Sequence, residues 1–425
     1  MKLSEMKNSI LSGNYNAAFN TLYTDVNASI DRYAKACDRF AHYFGEDRDV
    51  SLFSAPGRTE VGGNHTDHQL GCVLAGSVNL DVIAVVSKTD DGIIRIKSKG
   101  FDMDVVNSGE LEPQDSEKER SASLIRGVCA RIKQLGYKVG GFDAYTVSNV
   151  IKGSGLSSSA AFEVLVGTII SYIYNDGKID AVTIAKCSQY AENAFFGKPS
   201  GLMDQMASSV GGFVGIDFAD VENPIIEKVD FDFAAQNHSL CIVNTGGNHA
   251  DLTCEYAAVP QEMRDIAAHF GQTALRNVDE SEFFADIRTL REKYGDRAVL
   301  RAIHFFDDNR RAIEEKQALK ENDFNRFLQL VRQSGQSSFM FLQNVYASSA
   351  PREQGLSLAL YLSGKVLGER GAYRVHGGGF GGTIQAFVPN DLLDEYIKTI
   401  ESVFGENTCY VLKIRPLGGT MISGN

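Results

Sequence analysis

Residues Val150-Ile-Lys-Gly-Ser-Gly-Leu-Ser-Ser-Ser-Ala-Ala161 carry the chain from one kind of segment into another. Residues 142–150, before and into this stretch, are rich in β-branched and aromatic side chains and read as a strand. Residues 158–174, overlapping its end, are apolar enough for a largely buried helix. The turn between them is glycine and serine. Small residues let a ligand approach the backbone, and the amides at a helix start attract anions. The hydroxyls add donors, and one of them could reach a magnesium ion. The same residues also suit a plain helix start, with Ser157 or Ser158 as the cap. On this segment alone both readings stand. The spacing fits neither G-x-x-x-x-G-K-[ST] nor G-x-G-x-x-G, because Ser158 stands where the third glycine belongs. A Walker-type or nicotinamide site is therefore disfavoured.

Working outward, residues 1–46 read as helical. Leu3, Met6, Ile10, Leu22, Val26, Ile30, Tyr33, Cys37 and Phe40 recur at threes and fours, interrupted near Gly13. Residues 50–55 read as a strand. Residues 78–86 and 93–97 alternate around Thr89-Asp90-Asp91-Gly92, which predicts a hairpin. Residues 121–135 form an amphipathic helix, and a helix over 180–195 follows the apolar one. Strands are expected at 213–218, 225–231 and 240–244. Residues 256–370 are mainly helical, and the chain closes as strand, glycine turn, strand, helix, strand over 373–414. The shift to helix-rich sequence near 195–255 marks a domain boundary, so the class is α+β with two domains in contact.

Composition limits the function. Of 425 residues 43% are apolar and 23% charged, which is ordinary for a globular chain that can bury a large core. The net charge of -12 argues against sequence-independent nucleic-acid binding, which needs Lys and Arg on phosphates. A bound polyanion would rely on backbone amides, a helix start or a metal ion. Seven scattered cysteines with no C-x-x-C pair, and no apolar N-terminal signal, suggest a reduced cytoplasmic location. The longest apolar run, residues 160–174, is too short to cross a bilayer and holds Glu163.

Three further clusters carry chemistry: GRTEVGGNHTDH at 57–68, the run ENAFFGKPSGLMDQ at 192–205, and HGGGFGGT at 376–383. With them the chain resembles the GHMP small-molecule kinases, and within these the galactokinase family. The usual G-R-V-N-L-I-G-E-H-T-D-Y is matched at 57–68 and P-x-G-x-G-L-S-S-S-A at 151–160. G-G-G-F-G-G is matched at 377–382 and G-[IL]-M-D-Q at 201–205. The resemblance spans roughly residues 48–420.

This resemblance implies a two-domain GHMP kinase fold. A ribosomal-protein-S5-like N-terminal domain would cover 1–195 with the helical arm, and a ferredoxin-like C-terminal domain would cover 196–409. The final stretch, 410–425, would return to the first domain. The resemblance further implies an enzyme that moves a phosphoryl group from ATP to the anomeric hydroxyl of a monosaccharide, with galactose as the simplest acceptor and Mg2+ as the metal. Gly153, Ser154, Gly155, Leu156, Ser157, Ser158 and Ser159 would cradle the phosphates, and Ser159 with Glu192 would hold the magnesium ion. Asp204 would be the base or the orienting carboxylate, with Arg58 beside it. Asn64, His65, Asp67, Gly201 and Tyr256 would meet the sugar. Gly377, Gly378, Gly379, Phe380 and Gly381 would form a structural turn. Sugar and ATP are the partners implied. No protein partner, nucleic acid or membrane is expected.

Departures fall partly on the sugar side. Glu60 replaces an asparagine, Asn64 the glutamate that grips the sixth-carbon hydroxyl, His68 a tyrosine, and Ile151 a proline. An amide at 64 would tolerate a sugar carboxylate that a glutamate repels. Galacturonate and N-acetylgalactosamine are therefore alternative acceptors. A sensor that binds sugar and ATP without turnover is a second class of function. A metal hydrolase built on His65 and His68 is a third, lacking a further histidine or thiolate nearby in sequence.

Overall fold

The structure is a computed structural model that describes residues 1–151, 155–198, 200–247 and 252–424. Helices α1 (Leu3–Leu11), α2 (Asn16–Leu22) and α3 (Val26–Phe44) form the N-terminal arm. Gly13, at φ +87°, separates the first two. Asp25 caps α3 by accepting from the Ala28 amide at 2.9 Å. The apolar stripe expected from spacing is the buried one. Leu3, Met6, Ile10, Phe19, Leu22, Tyr33, Cys37 and Phe40 pack on Leu52, Ile83, Val85 and Tyr145 of the first sheet.

That sheet contains β1 (Ser51–Gly62), β2 (Cys72–Lys88), β3 (Ile93–Ser98), β4 (Met103–Asn107) and β5 (Phe142–Ser148). It also contains β6 (Phe213–Asp217), β7 (Ile225–Val229) and a last short strand, Thr420–Ile422. The expected hairpin between β2 and β3 does not form. β5 lies between them, antiparallel to β2 and parallel to β3. Asp91 satisfies the turn locally, accepting from the Ile93 amide at 2.9 Å and from the Thr89 hydroxyl. The chain therefore reverses without its two arms pairing. Helices α4 (Ser121–Gln134), α5 (Ser158–Asn175), α6 (Ala181–Ala191) and α7 (Met203–Val210) cover the face opposite the arm.

The second sheet begins at β8 (His238–Asn244) and adds β9 (Ala372–Val375), β10 (Thr383–Pro389) and β11 (Cys409–Leu412), in the order β11-β8-β10-β9, all antiparallel. Between β8 and β9 run α8 (Thr253–His269), α9 (Glu280–Ala285), α10 (Ile287–Tyr294), α11 (Asp296–Lys320), α12 (Phe324–Ser337) and α13 (Gly355–Leu367); α14 (Leu393–Phe404) links β10 to β11. α13 and α14 bury Leu356, Ala359, Tyr396 and Ile400 on one face. On the other, Leu240, Ile242 and Phe387 join the large core of the first unit.

Sheet membership changes later than residue 195. β6 pairs with the free N-terminal half of β2, Cys72 to Gly76, which β5 leaves uncovered. The chain moves to the second sheet only at His238. At the other end, Cys409–Leu412 stays in the second sheet. Thr420–Ile422, here β12, returns to pair with β1 at Leu52 to Ser54. No helix among the described residues is long and apolar enough to cross a membrane.

Candidate active site

Asn149, just past β5, is clamped to β2. Its amide donates to the Asp81 carbonyl at 3.0 Å, and its side chain accepts from the Asp81 amide at 2.6 Å. Beyond it, Gly153 and Ser154 lie outside the described residues. Gly155 resumes at φ +70° and Ser157 at φ +55°. Ser157 precedes α5 but makes no side-chain hydrogen bond to cap it. The capping reading therefore does not hold for Ser157, and the first-turn amides of α5 have no side chain from that position on them.

β1 supports this turn from below. The Arg58 amide donates to the Leu156 carbonyl at 3.0 Å. A Cβ on Gly57 would stand 2.8 Å from that carbonyl, so only glycine fits. The Arg58 guanidinium donates through Nη1 to the Gly155 carbonyl and through Nε to Asp204 Oδ1, the latter at 2.6 Å. Asp204 lies in the first turn of α7. Burial pushes its carboxyl up, but the charge and hydrogen bond of Arg58, with a bond from Ser157, outweigh this and hold it below the usual range. Asp204 is thus an anion at neutral pH.

Ser159, in the first turn of α5, donates to Glu192 Oε1 at 3.4 Å. Glu192 opens a π turn, Glu192–Phe196, at the end of α6. Its other oxygen accepts from Gln205 Nε2 at 2.9 Å, and the same amide donates to Glu163 at 3.2 Å. One Glu192 oxygen is thus tied back, and the other faces Ser159. A hydroxyl and a carboxylate are hard oxygen donors of the kind Mg2+ takes, so the chemistry of the pair fits that ion. Among the described residues no group of three or more His, Cys, Asp or Glu could hold a metal by itself.

Among the residues expected to meet the sugar, His65 adopts φ +59° and its Nε2 donates to the Gly378 carbonyl at 3.1 Å. Burial, then the neighbouring His68, push its imidazole down to about 4. The ring is therefore neutral, with Nδ1 left as an acceptor. Tyr256 donates to the Gly379 carbonyl at 2.8 Å and packs edge-on against Phe380. A Cβ on Gly201 would lie 2.9 Å from Asp67 Oδ2, and the Asp67 charge is felt by Arg58. The glycine turn after β9 joins the two sides: Gly155 faces His376, whose ring is hydrogen-bonded to Thr59 and Thr383.

Asn64 departs from expectation. It is fully buried, its amide nitrogen donates to Glu60 and to the Gly377 carbonyl, both at 2.8 Å, and its oxygen accepts from Asn344 at 2.8 Å and Ser338 at 3.3 Å. Two donors and two lone pairs are spent within the protein. Asn64 braces the 57–68 segment from behind.

A profile described as "GHMP kinases N terminal domain" matches residues 123–212, and one described as "Galactokinase galactose-binding signature" matches residues 38–88. The galactokinase of Bacillus subtilis is 30% identical over 378 residues, covering 87% of this chain and 93% of its own. The chain belongs to the galactokinase family. The galactokinase of Streptomyces coelicolor is 30% identical over 369 residues, covering 86% and 92%. The solved Lactococcus lactis galactokinase, complexed with galactose, superimposes with a TM-score of 0.77 at 24% identity, covering 92% of this chain and 99% of that one. Mevalonate kinase of Methanococcus jannaschii shares the fold at a TM-score of 0.61. The chain is accordingly a sugar-kinase-type transferase of α+β fold, for which ATP is the family's phosphate donor.

Relative to the galactokinase pattern, Glu60 and Asn64 are one exchange. The carboxylate and the amide have traded places, and in this chain the two side chains are bonded to each other. Glu60 also takes the buried Arg374 guanidinium at 3.2 Å. Sequence reading did not find Arg374, Asn344, Gln205 or Lys198. The first two come from distant helix and strand ends that no motif spacing connects to residue 64. Gln205 and Lys198 lay inside quoted motifs, but their partners across the fold were not visible.

Proposed function

We propose that this chain phosphorylates the anomeric hydroxyl of galactose with ATP. The carrying observation is the Arg58–Asp204 pair at 2.6 Å, held against the carbonyl of the phosphate turn. Membership of the galactokinase family supports the acceptor, since the relatives named above are galactokinases. Asp204 receives the proton of the anomeric hydroxyl or orients it. The freed oxygen bonds to the γ-phosphorus, the bond from that phosphorus to its bridging oxygen breaks, and ADP leaves. Arg58 keeps Asp204 ionised and places positive charge beside the transferred group. The amides starting α5 take phosphate oxygens. Ser159 and Glu192 would hold Mg2+, which supplies charge neutralisation on the phosphates when bound. His65, Asp67 and the open face of Gly201 line the sugar side, with Tyr256 behind the glycine turn.

One observation favours a second acceptor. Asn64 is uncharged and bonded inward, and Glu60 is spent on Arg374, so neither offers a carboxylate where the resemblance places the sixth-carbon hydroxyl. Galacturonate therefore belongs beside galactose and N-acetylgalactosamine in an ADP-release panel, with phosphorus NMR on the product. Anomeric galactose phosphate supports the proposal. Galacturonate turnover with galactose silent would move the acceptor. Silence with every sugar would leave a binding-only sensor. Asp204→Asn is expected to lower kcat by about 10^3-fold with ATP binding retained, in the range set by positioned acid–base groups; near-normal turnover would remove Asp204 from the mechanism.

A further inference from the structure

Lys198 stands inside the site and has no role in the account above. Its ammonium lies 3.2 Å from Glu192 Oε1, the same oxygen that Ser159 bonds. Its side chain is 63% exposed, against 5% for Glu192. Its backbone is anchored: the amides of Gly197 and Lys198 both donate to the Glu192 carbonyl at 3.1 Å, closing the π turn. The base of the side chain is therefore fixed on the residue proposed to bind the metal, while its head pairs with Glu192 at the solvent edge. An ion pair this exposed adds little to stability.

The charges around it leave work for a cation. Arg58 is committed to Asp204 and to the Gly155 carbonyl. Glu192, Asp204 and Asp67 are acids of the same site, and the positive charge of Lys198 reaches both Asp204 and Glu163. A phosphate chain entering here brings more negative charge. A divalent ion binding Ser159 and Glu192 must take the oxygen that the ammonium now holds. The displaced head, on a four-carbon stem, stays beside the incoming phosphates.

We infer that Lys198 is a second phosphate-binding cation of this site. It neutralises Glu192 when the site is empty, and it transfers to the phosphate oxygens of ATP when nucleotide and metal arrive. This rests on the kinase reading above. Failure of that reading shows in the wild-type protein alone, as no ADP release with any sugar.

The test compares wild type, Lys198→Met and Lys198→Arg. The Met variant is expected to lose about tenfold to a hundredfold in kcat/KM for ATP, the scale of one electrostatic contact to the transferred group. The KM for sugar and the melting temperature should hold. Calorimetry with ATP and a chelator, no metal present, should show at least about fivefold weaker binding, because the contact is to phosphate. Paramagnetic resonance with Mn2+ alone should show tighter binding, because the competitor for Glu192 has gone. Lys198→Arg should recover part of the loss. Kinetics for the Met variant within twofold of wild type would overturn the inference. So would unchanged metal-free ATP affinity, or a fall in melting temperature as the sole effect.

Discussion

Glu60 and Asn64 lie four residues apart and share a hydrogen bond of 2.8 Å in a fully enclosed setting. Asn64→Glu alone places a second carboxylate against the first, and Glu60→Asn alone strips Arg374 of its partner. Each is expected to cost about 3–5 kcal/mol, the range for breaking a buried charge arrangement. The double variant restores one acid and one amide. Chemical denaturation should therefore show it well above the sum of the singles; strict additivity would mean the two positions are independent. Glu315 gives the pH-dependent counterpart. It is fully buried in α11, neither of its carboxylate oxygens has a partner among the described residues, and burial with the charge of Asp308 pushes it well above the usual range, against Arg374 and Arg311. Burial likewise lifts Glu60 to about 7. A carboxyl raised on folding adds stability below its unfolded value near 4.5 and loses it as pH climbs through the folded value. These two carboxyls should make stability fall from pH 5 to pH 8, against a rise up to about pH 6.5 from the depressed His65 imidazole. Glu315→Gln should remove part of that slope, with a gain of at least about 1 kcal/mol at pH 8, the worth of roughly one pK unit. Urea melts at the two pH values check this, and an unchanged slope would clear Glu315.

The element that matters most is the turn between β5 and α5, and it rests on β1. Gly57→Ala would drive a methyl group onto the Leu156 carbonyl, 2.8 Å from the ideal Cβ. The turn must shift, so the KM for ATP should rise by about tenfold or more, since small displacements in positioning elements cost that much. The KM for sugar should change little, and an equal rise in both would point to general unfolding. The glycine-serine composition of this turn, the apolar helix behind it and the periodic arm were legible because each is decided by neighbours in sequence. The hairpin was misread for the opposite reason. Thr89 to Gly92 specifies a reversal, but the strand that fills the gap, Phe142 to Ser148, arrives about fifty residues later. The π turn at Glu192 escaped too, because one extra residue in a helical turn leaves no mark on apolar spacing. The pairing of Arg58 with Asp204 was legible from motifs. The inward bonding of Asn64 was not legible, since its partners Asn344, Ser338 and Gly377 come from beyond residue 330.

Across the whole molecule one buried carboxylate gathers the distant parts. Asp81 of β2 accepts from Arg32 at 2.6 Å and Tyr23 at 2.6 Å in the arm, from Ser54 of β1, and from Arg415 near the C-terminus at 3.1 Å. Burial opposes its charge, and the two guanidiniums overcome that, so it stays ionised. Its backbone holds Asn149 at the root of the phosphate turn. Asp81→Asn leaves two buried cations short of a counter-charge, so a loss of about 3–5 kcal/mol is expected in denaturation, together with a raised KM for ATP relative to sugar. A stability loss under about 1 kcal/mol would mean the cluster carries no more than a surface pair.

The return of β12 to β1 sets the order in which this protein can be made. Arg415 and Ile422 are made after every strand of the second sheet, yet Arg415 belongs to the cluster around Asp81 and Ile422 to the core beneath the arm. Once Leu412 has been made, the segment from β8 to β11 has every strand of its own sheet, and the first sheet still lacks its last. The N-terminal unit must therefore wait with an open edge at β1 and an acid lacking one of its arginines, and it closes only once Arg415 and Thr420–Ile422 have been made. A nascent chain stalled just after Leu412 has emerged would hold every strand of the second sheet while β1 still lacks its edge partner.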